Sequence, residues 1–268
     1  MGFLEEILRE TRRTVDAPGY GQGLPELPSR RTTSFRAAVE RDRASGALVV
    51  EYKRVSPGQS EPKLPTRSIP EFLRLTETAR PTAFSCLATT PRFDGSPSDV
   101  AELAGSTSRP VLFKDFVVDA RQVRAAARAG ASAILLIARL SGLLEGTAPL
   151  VDLANAAHAE GLEVLLELHA RSELSRVANV VADVYGVNVR NLDTLAIDRP
   201  TAAETLREAR SAGLRPLLGL SGVADATDAG RFWADGVDGI LVGSAVARAA
   251  DPAHFLETLR RGPPGGTP

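Results

Sequence analysis

Ala47-Leu-Val-Val-Glu-Tyr-Lys-Arg-Val-Ser-Pro57 carries an apolar run, Leu48 to Val50, straight into Glu51, Lys53 and Arg54, and stops at Ser-Pro. A short, continuous, β-branched-rich run reads as a buried parallel strand. Charges on its last residues therefore emerge at the carboxyl end of that strand. Strand alternation sets Glu51 and Lys53 on one side and Tyr52 on the other. A carboxylate and an ammonium facing one space can form a proton-transfer site; an ordinary ion pair at a strand terminus would give the same pattern.

Further along the chain the pattern repeats. After the break at Ser56-Pro57-Gly58 and a Pro-rich polar loop to about Ser68, expected to be mobile, strands are predicted at Thr82–Leu87, Val111–Phe113, Ala133–Ile137, Val164–Leu168, Val184–Asn188, Pro216–Leu220 and Gly239–Val242. Between them the pattern predicts helices at Ile69–Ala79, Pro97–Ala104, Ala120–Ala129, Leu150–Glu160, Ser172–Ala178, Ala202–Ala212 and Ala226–Ala234. A last helix, Ala245–Arg261, has a break at Asp251-Pro252. Gly130, Gly161, Gly213 and Gly236 each follow a helix, where the backbone turns left-handed. Eight βα units without a change in composition predict a (β/α)8 TIM barrel, with an open doubly wound sheet as the alternative. No Gly-x-Gly-x-x-Gly follows the first strand, which counts against dinucleotide binding.

Before the first strand, Phe3–Val15 reads as a helix with Leu4, Ile7 and Leu8 on one face. Residues 16–33 form an irregular connector, and Ser34 caps a second helix, Phe35–Ala44. The chain is thus expected to be one domain, residues 1–268, with 1–46 as a helical N-terminal extension and 262–268 as a disordered tail. With 268 residues it can bury a full core. A net charge of −1 and a pI near 6.4 suggest neither nucleic acid nor membrane as a partner. One cysteine, Cys86, and three histidines offer no internal disulfide and no metal cluster. The start of the chain lacks a signal peptide's pattern. A cytoplasmic protein is expected, a monomer by default.

Lysine is scarce: of 32 Lys plus Arg, only Lys53, Lys63 and Lys114 are lysine. Arginine stays protonated throughout the working pH range, whereas a buried lysine can exchange a proton. Lys53 and Lys114 both follow apolar runs and so stand at strand ends; Lys63 lies in the Pro-rich loop.

All carboxyl ends of a barrel's strands share one face, where the chemistry is carried. Here they bring Glu51 and Lys53, Lys114, Glu167, Asn188 and Arg190, Ser221-Gly222 and Gly243-Ser244. The last two pairs suit a phosphate, because Gly/Ser turns expose N–H groups and the following helices add positive ends; they could also be plain tight turns. Glu167 ends an apolar strand, and burial there would raise its pKa toward a general base's range. Phe93 and Phe116 could line an aromatic pocket or simply pack. His169 is expected at the rim and Cys86 in the core.

On these residues the chain resembles the indole-3-glycerol-phosphate synthase family from about residue 34 onward. The resemblance rests on Glu51-Tyr-Lys-Arg-x-Ser-Pro57, Phe93-x-Gly-Ser96, Lys114-Asp-Phe116 and Ala133-Ile-Leu-Leu-Ile137. It continues through Asn188-x-Arg-Asn-Leu-x-Thr-Leu195, Ser221-Gly222 and Val242-Gly-Ser244. It implies a carbon–carbon lyase of tryptophan biosynthesis that needs no metal or cofactor and acts on a phosphorylated small molecule. By that resemblance Lys114 is the general acid at the substrate carbonyl. Lys53 contacts substrate and helps expel the hydroxyl, Glu51 is its carboxylate partner, and Glu167 is the base of rearomatisation. Asn188 and Arg190 orient substrate. Ser56, Ser221, Gly222, Gly243 and Ser244 contact substrate and phosphate, and Phe93, Phe116 and Leu135 enclose the aryl ring. Two departures stand out. The family usually has Glu where this chain has Leu220, and an acidic residue in the loop where it reads Ala88-Thr89-Thr90. A redirected substrate within the same chemistry, or a weak barrel kept as a binding partner, are the alternatives these departures leave.

Overall fold

The strands pair in the order β1 to β8 and close on themselves, β1 with β8, every pairing parallel. The computed structural model describes residues 2–24, 33–57, 63–65, 67–90, 92–140, 143 and 148–261. Its strands are β1 (Ala47–Tyr52), β2 (Ala83–Leu87), β3 (Val111–Lys114), β4 (Ala133–Ile137), β5 (Glu163–Leu168), β6 (Val184–Asn188), β7 (Leu217–Leu220) and β8 (Gly239–Val242). Each lies within a residue or two of its expected place. The helices are α1 (Phe3–Asp16), α2 (Phe35–Asp42), α3 (Ile69–Thr76), α4 (Pro97–Ser106), α5 (Ala120–Arg128), α6 (Leu150–Ala159), α7 (Arg199–Ser211), α8 (Ala226–Ala234), α9 (Ser244–Arg248) and α10 (Pro252–Thr258). The closed barrel is found, and the doubly wound sheet is not. The tail 262–268 lies outside the described residues, as do parts of the connector and of the Pro-rich loop.

Period-two alternation divides the core into two layers. Leu48, Val50 and Tyr52 of β1 face outward, into the layer between strands and helices. Ala47 and Val49 face the barrel interior, with Ala83, Leu112, Ala133, Leu165 and Leu218 from neighbouring strands. Because Tyr52 points out, Glu51 and Lys53 must point in, as the sequence reading required. The four helix-end glycines adopt φ of 72, 77, 76 and 75°, the left-handed turn expected of them.

One element differs in kind. The segment expected to form a helix at Ser172–Ala178 is a 3-10 turn, Arg171–Val177. Glu173 turns its carboxylate inward to accept the His169 backbone N–H at 2.8 Å, and the Ser175 hydroxyl donates to the Ser172 carbonyl. Such local side-chain bonds compete with the helical ladder.

The N-terminal extension is built into both ends of the barrel. Phe35 and Val39 of α2 join the interior cluster, and Ser34 and the Arg36 N–H both bond Glu163, the first residue of β5. Leu4, Ile7 and Leu8 of α1 join the same cluster at the other end, with Phe116, Leu140 and Leu192, which follow β3, β4 and β6. Thus α2 seals the amino-terminal mouth and α1 flanks the carboxyl-terminal one.

Outside the barrel, Gly219 of β7 lets α8 approach: a Cβ there would stand 2.3 Å from Phe232 Cδ1. Phe232 is 2% exposed and has nowhere to retreat. Gly219→Ala should therefore lower stability by about 1–3 kcal/mol, the usual cost of overpacking. An unchanged denaturant midpoint would mean that α8 is free to shift away from the sheet.

Candidate active site

The inward side chains at the carboxyl ends of β1 and β3 form one charged cluster. Glu51, 3% exposed, receives Lys53 Nζ at 2.7 Å on Oε1 and has Lys114 Nζ at 3.2 Å from Oε2. The end of β8 must pass close by. A Cβ on Gly243 would lie 2.7 Å from Glu51 Oε1 and 3.0 Å from Lys53 Cε, so a larger residue there would have to displace the ends of these two side chains. Burial pushes the Glu51 carboxyl up, but the two ammonium groups, Lys114 first, outweigh it and bring it down to about 2. This carboxylate therefore stabilises the fold above the ordinary carboxylate range, and that contribution is lost as pH falls toward 2.

The two lysines are not equivalent. Burial lowers both. For Lys53 the burial and the nearby Lys114 charge prevail over Glu51, and its pKa is below that of a free lysine. Lys114 has a second carboxylate, Glu167, acting on it besides Glu51, and its pKa is raised.

Glu167, 2% exposed, faces this pair from β5. Asn188 Nδ2 donates to its Oε1 at 3.1 Å, and Asn188 Oδ1 accepts the Arg190 N–H at 2.9 Å, which fixes the amide's orientation. The expectation that burial would raise Glu167 is corrected. Burial does push it up, but His169, Lys114 and Asn188 together bring it below a free carboxylate. His169 is also not at the rim. It is 6% exposed, with Nε2 3.2 Å from Glu167 Oε1, and it stands behind the carboxylate rather than in the cavity. Strand alternation could have flagged it, because 167 and 169 share a side.

Around these groups is a cavity of about 650 Å³, lined by every site residue expected from the sequence. The Phe93 and Phe116 rings meet at 5.9 Å and 45°, with Leu135 of β4 among the lining residues. On the β7–β8 side Ser221 and Gly222 take left-handed φ of 65 and 70°, and the Ser244 hydroxyl donates to Ser56 Oγ at 3.0 Å. The helical contribution expected there is reduced: α9 has five residues, and α8 begins only at Ala226. Backbone N–H groups and hydroxyls are the groups there that could donate to an anion. Phe3 and Leu192 also line the cavity; Leu192 lies within the Asn188–Leu195 stretch, where no role is expected of it, and nothing in the local sequence marks Phe3, since only the closed fold brings α1 to this mouth. Leu220, beside Asn188 in register, is 1% exposed and packs over Gly186.

Barrel and site together define a protein of the (β/α)8 class whose cavity gathers two lysines and two glutamates at the carboxyl ends of its strands. A sequence model described as indole-3-glycerol phosphate synthase matches residues 4–259. A protein of that name from Exiguobacterium sibiricum is 36% identical over 213 residues, 80% of each chain. One from Staphylococcus aureus is 33% identical over 263 residues, 97% of this chain and 98% of its own. The chain belongs to the indole-3-glycerol phosphate synthase family. Among solved structures, thiamine phosphate pyrophosphorylase from Pyrococcus furiosus shares the fold at TM-score 0.57 and 19% identity, covering 82% of this chain and 95% of its own.

His169→Gln should raise the pKa of Glu167, because it removes the neighbour that most strongly holds that carboxylate charged. A carbon-13 NMR titration of Glu167 reads the shift directly, and the acid limb of the pH–activity profile should move to higher pH with it. An unmoved titration would assign Glu167's charge state to Lys114 and Asn188 alone.

Proposed function

We propose that the protein closes the indole ring. It converts 1-(2-carboxyphenylamino)-1-deoxyribulose 5-phosphate to indole-3-glycerol phosphate, carbon dioxide and water. The observation that carries this reading is the Glu51 carboxylate bridging two lysines, with the Glu167–Asn188 pair across the same cavity. Ring closure onto a carbonyl needs an acid at the oxygen, and loss of water and of a ring proton needs a second acid and a base. Lys114 protonates the carbonyl oxygen as the aryl carbon attacks. Loss of carbon dioxide follows from that carbon. Lys53, with its lowered pKa, then gives a proton to the departing hydroxyl, and Glu167, held as carboxylate, takes the remaining ring proton. Phe93, Phe116 and Leu135 hold the aryl ring, Arg190 and Asn188 orient the chain, and Ser221, Gly222, Gly243, Ser244 and Ser56 receive the phosphate.

Purified protein mixed with that substrate should develop indole fluorescence. Lys114→Arg keeps the charge but not the exchangeable proton, and should lower turnover by about 10²–10⁴ while the fold persists. Turnover near the wild-type rate would remove Lys114 from the role of acid.

Leu220 favours a second reading, in which the same chemistry acts on a related arylamino sugar phosphate with a less polar group beside β7. Both oxygens of Glu51 already face ammonium groups, and Leu220 sits in the interior cluster with Leu165, Leu218 and Leu241. Leu220→Glu would place a carboxylate among these carbons. An uncompensated buried charge costs roughly 3–5 kcal/mol, so melting temperature and turnover should fall together. A rise in turnover on the ring-closure substrate would discard the second reading.

A further inference from the structure

We propose that Arg92 is a positioning residue: it clasps the loop after β2 to helix α1 and thereby holds the Phe93 ring in the aromatic wall of the cavity. The proposal rests on the reading of that wall as the aryl-binding part of the site. Arg92 and Asp94, on either side of Phe93, both adopt left-handed backbone, with φ of 63 and 55°. Such conformations persist in residues other than glycine only where the surroundings enforce them.

Contacts on both sides of Phe93 supply that enforcement. Arg92 Nη2 donates to Glu6 Oε2 at 2.9 Å and to Glu10 Oε1 at 2.7 Å, while Nε donates to Glu10 Oε2 at 2.9 Å. Glu6 and Glu10 are one helical turn apart, like charges that repel unless a cation joins them. The planar guanidinium suits this fork, and it also lies over the Phe3 ring, 5.4 Å from its centroid. On the far side, the Asp94 carbonyl accepts Arg54 Nη1 at 2.8 Å, and the same guanidinium pairs with Asp99. Arg54 directly follows Lys53. Between these two anchors Phe93 reaches Phe116, and Phe3 lines the same cavity.

Half-exposed ion pairs are ordinarily weak, and the side chains of Arg92, Glu6 and Glu10 are 35, 42 and 32% exposed. What singles this clasp out is the residue it carries into the cavity. The proton-transfer groups stand on β1, β3 and β5, which Arg92 does not touch. Losing the clasp should therefore weaken substrate binding without altering the chemical step.

Arg92→Ala should raise KM about three- to tenfold, as expected for one or two partly exposed pairs, and leave kcat within about twofold. Arg92→Lys should recover part of the loss. Added salt should raise the wild-type KM more than that of Arg92→Ala, whose remaining salt dependence is that of binding the anionic substrate. The double variant Glu6→Gln/Glu10→Gln should match Arg92→Ala, and combining all three should add nothing further. Two readouts need no turnover: the affinity for 2-aminobenzoate, followed by its own fluorescence, and hydrogen exchange of amides 92–96, which should quicken in Arg92→Ala. Unchanged KM, probe affinity and exchange would overturn the clasp, even with a lowered melting temperature, since that pattern marks an ordinary surface ion pair. Should the wild type not turn over the ring-closure substrate, the functional reading falls, and exchange of amides 92–96 alone decides the clasp.

Discussion

Glu51 is the residue on which the arrangement of the site depends. A carboxylate this deeply buried is costly unless charge meets it from close range. Lys53 and Lys114 do so from two different strands, at 2.7 and 3.2 Å. The three groups fix one another: β1 supplies the carboxylate and one ammonium, β3 the other, and the end of β8 passes close to them at Gly243. Removing the carboxylate would leave the two cations of Lys53 and Lys114 facing the cavity without the charge between them. The barrel's closure and the site's charge are thus satisfied by the same contacts.

Electrostatics then separates two side chains of one chemical type. Lys114 lies between Glu51 and Glu167, and its proton is held. Lys53 has Glu51 and a neighbouring cation, and its proton is released more readily. Two roles that both require a proton donor, one early and one late in a reaction, can be divided between lysines tuned in opposite directions. Glu167 is tuned toward its charged form by the imidazole behind it and the amide beside it, opposite to what burial alone would produce.

Rigid strands carry the clustered lysines and glutamates, whereas the aromatic wall of the cavity is carried by loops and by the extension. Phe93 and Phe116 stand on βα connections, and Phe3 comes from the first helix of the chain. Strand-borne groups inherit the barrel's precision. Loop-borne rings need separate fastening, and the Arg92 and Arg54 contacts supply it from opposite sides. The extension therefore completes the fold at one mouth through α2 and borders the site at the other through α1.

Much of this was legible in the chain itself. Apolar runs with glycine-marked helix ends are local signals, set by backbone sterics and strand alternation, and they were enough to place eight strands and to turn Glu51, Lys53, Lys114 and Glu167 toward one face. The scarcity of lysine drew attention to the two that stand at strand ends. Composition could not reveal distances or neighbours. His169's place on the side of Glu167 was within reach of strand alternation; that the carboxylate's pKa is lowered rather than raised, that Phe3 borders the cavity and that Arg171–Val177 winds as a 3-10 turn follow from contacts with residues brought in by the fold or from competing side-chain bonds. Hydrophobic pattern is written along the chain, one residue after another. Charge regulation depends on which groups the closed barrel brings within a few ångströms, and only the tertiary structure decides that.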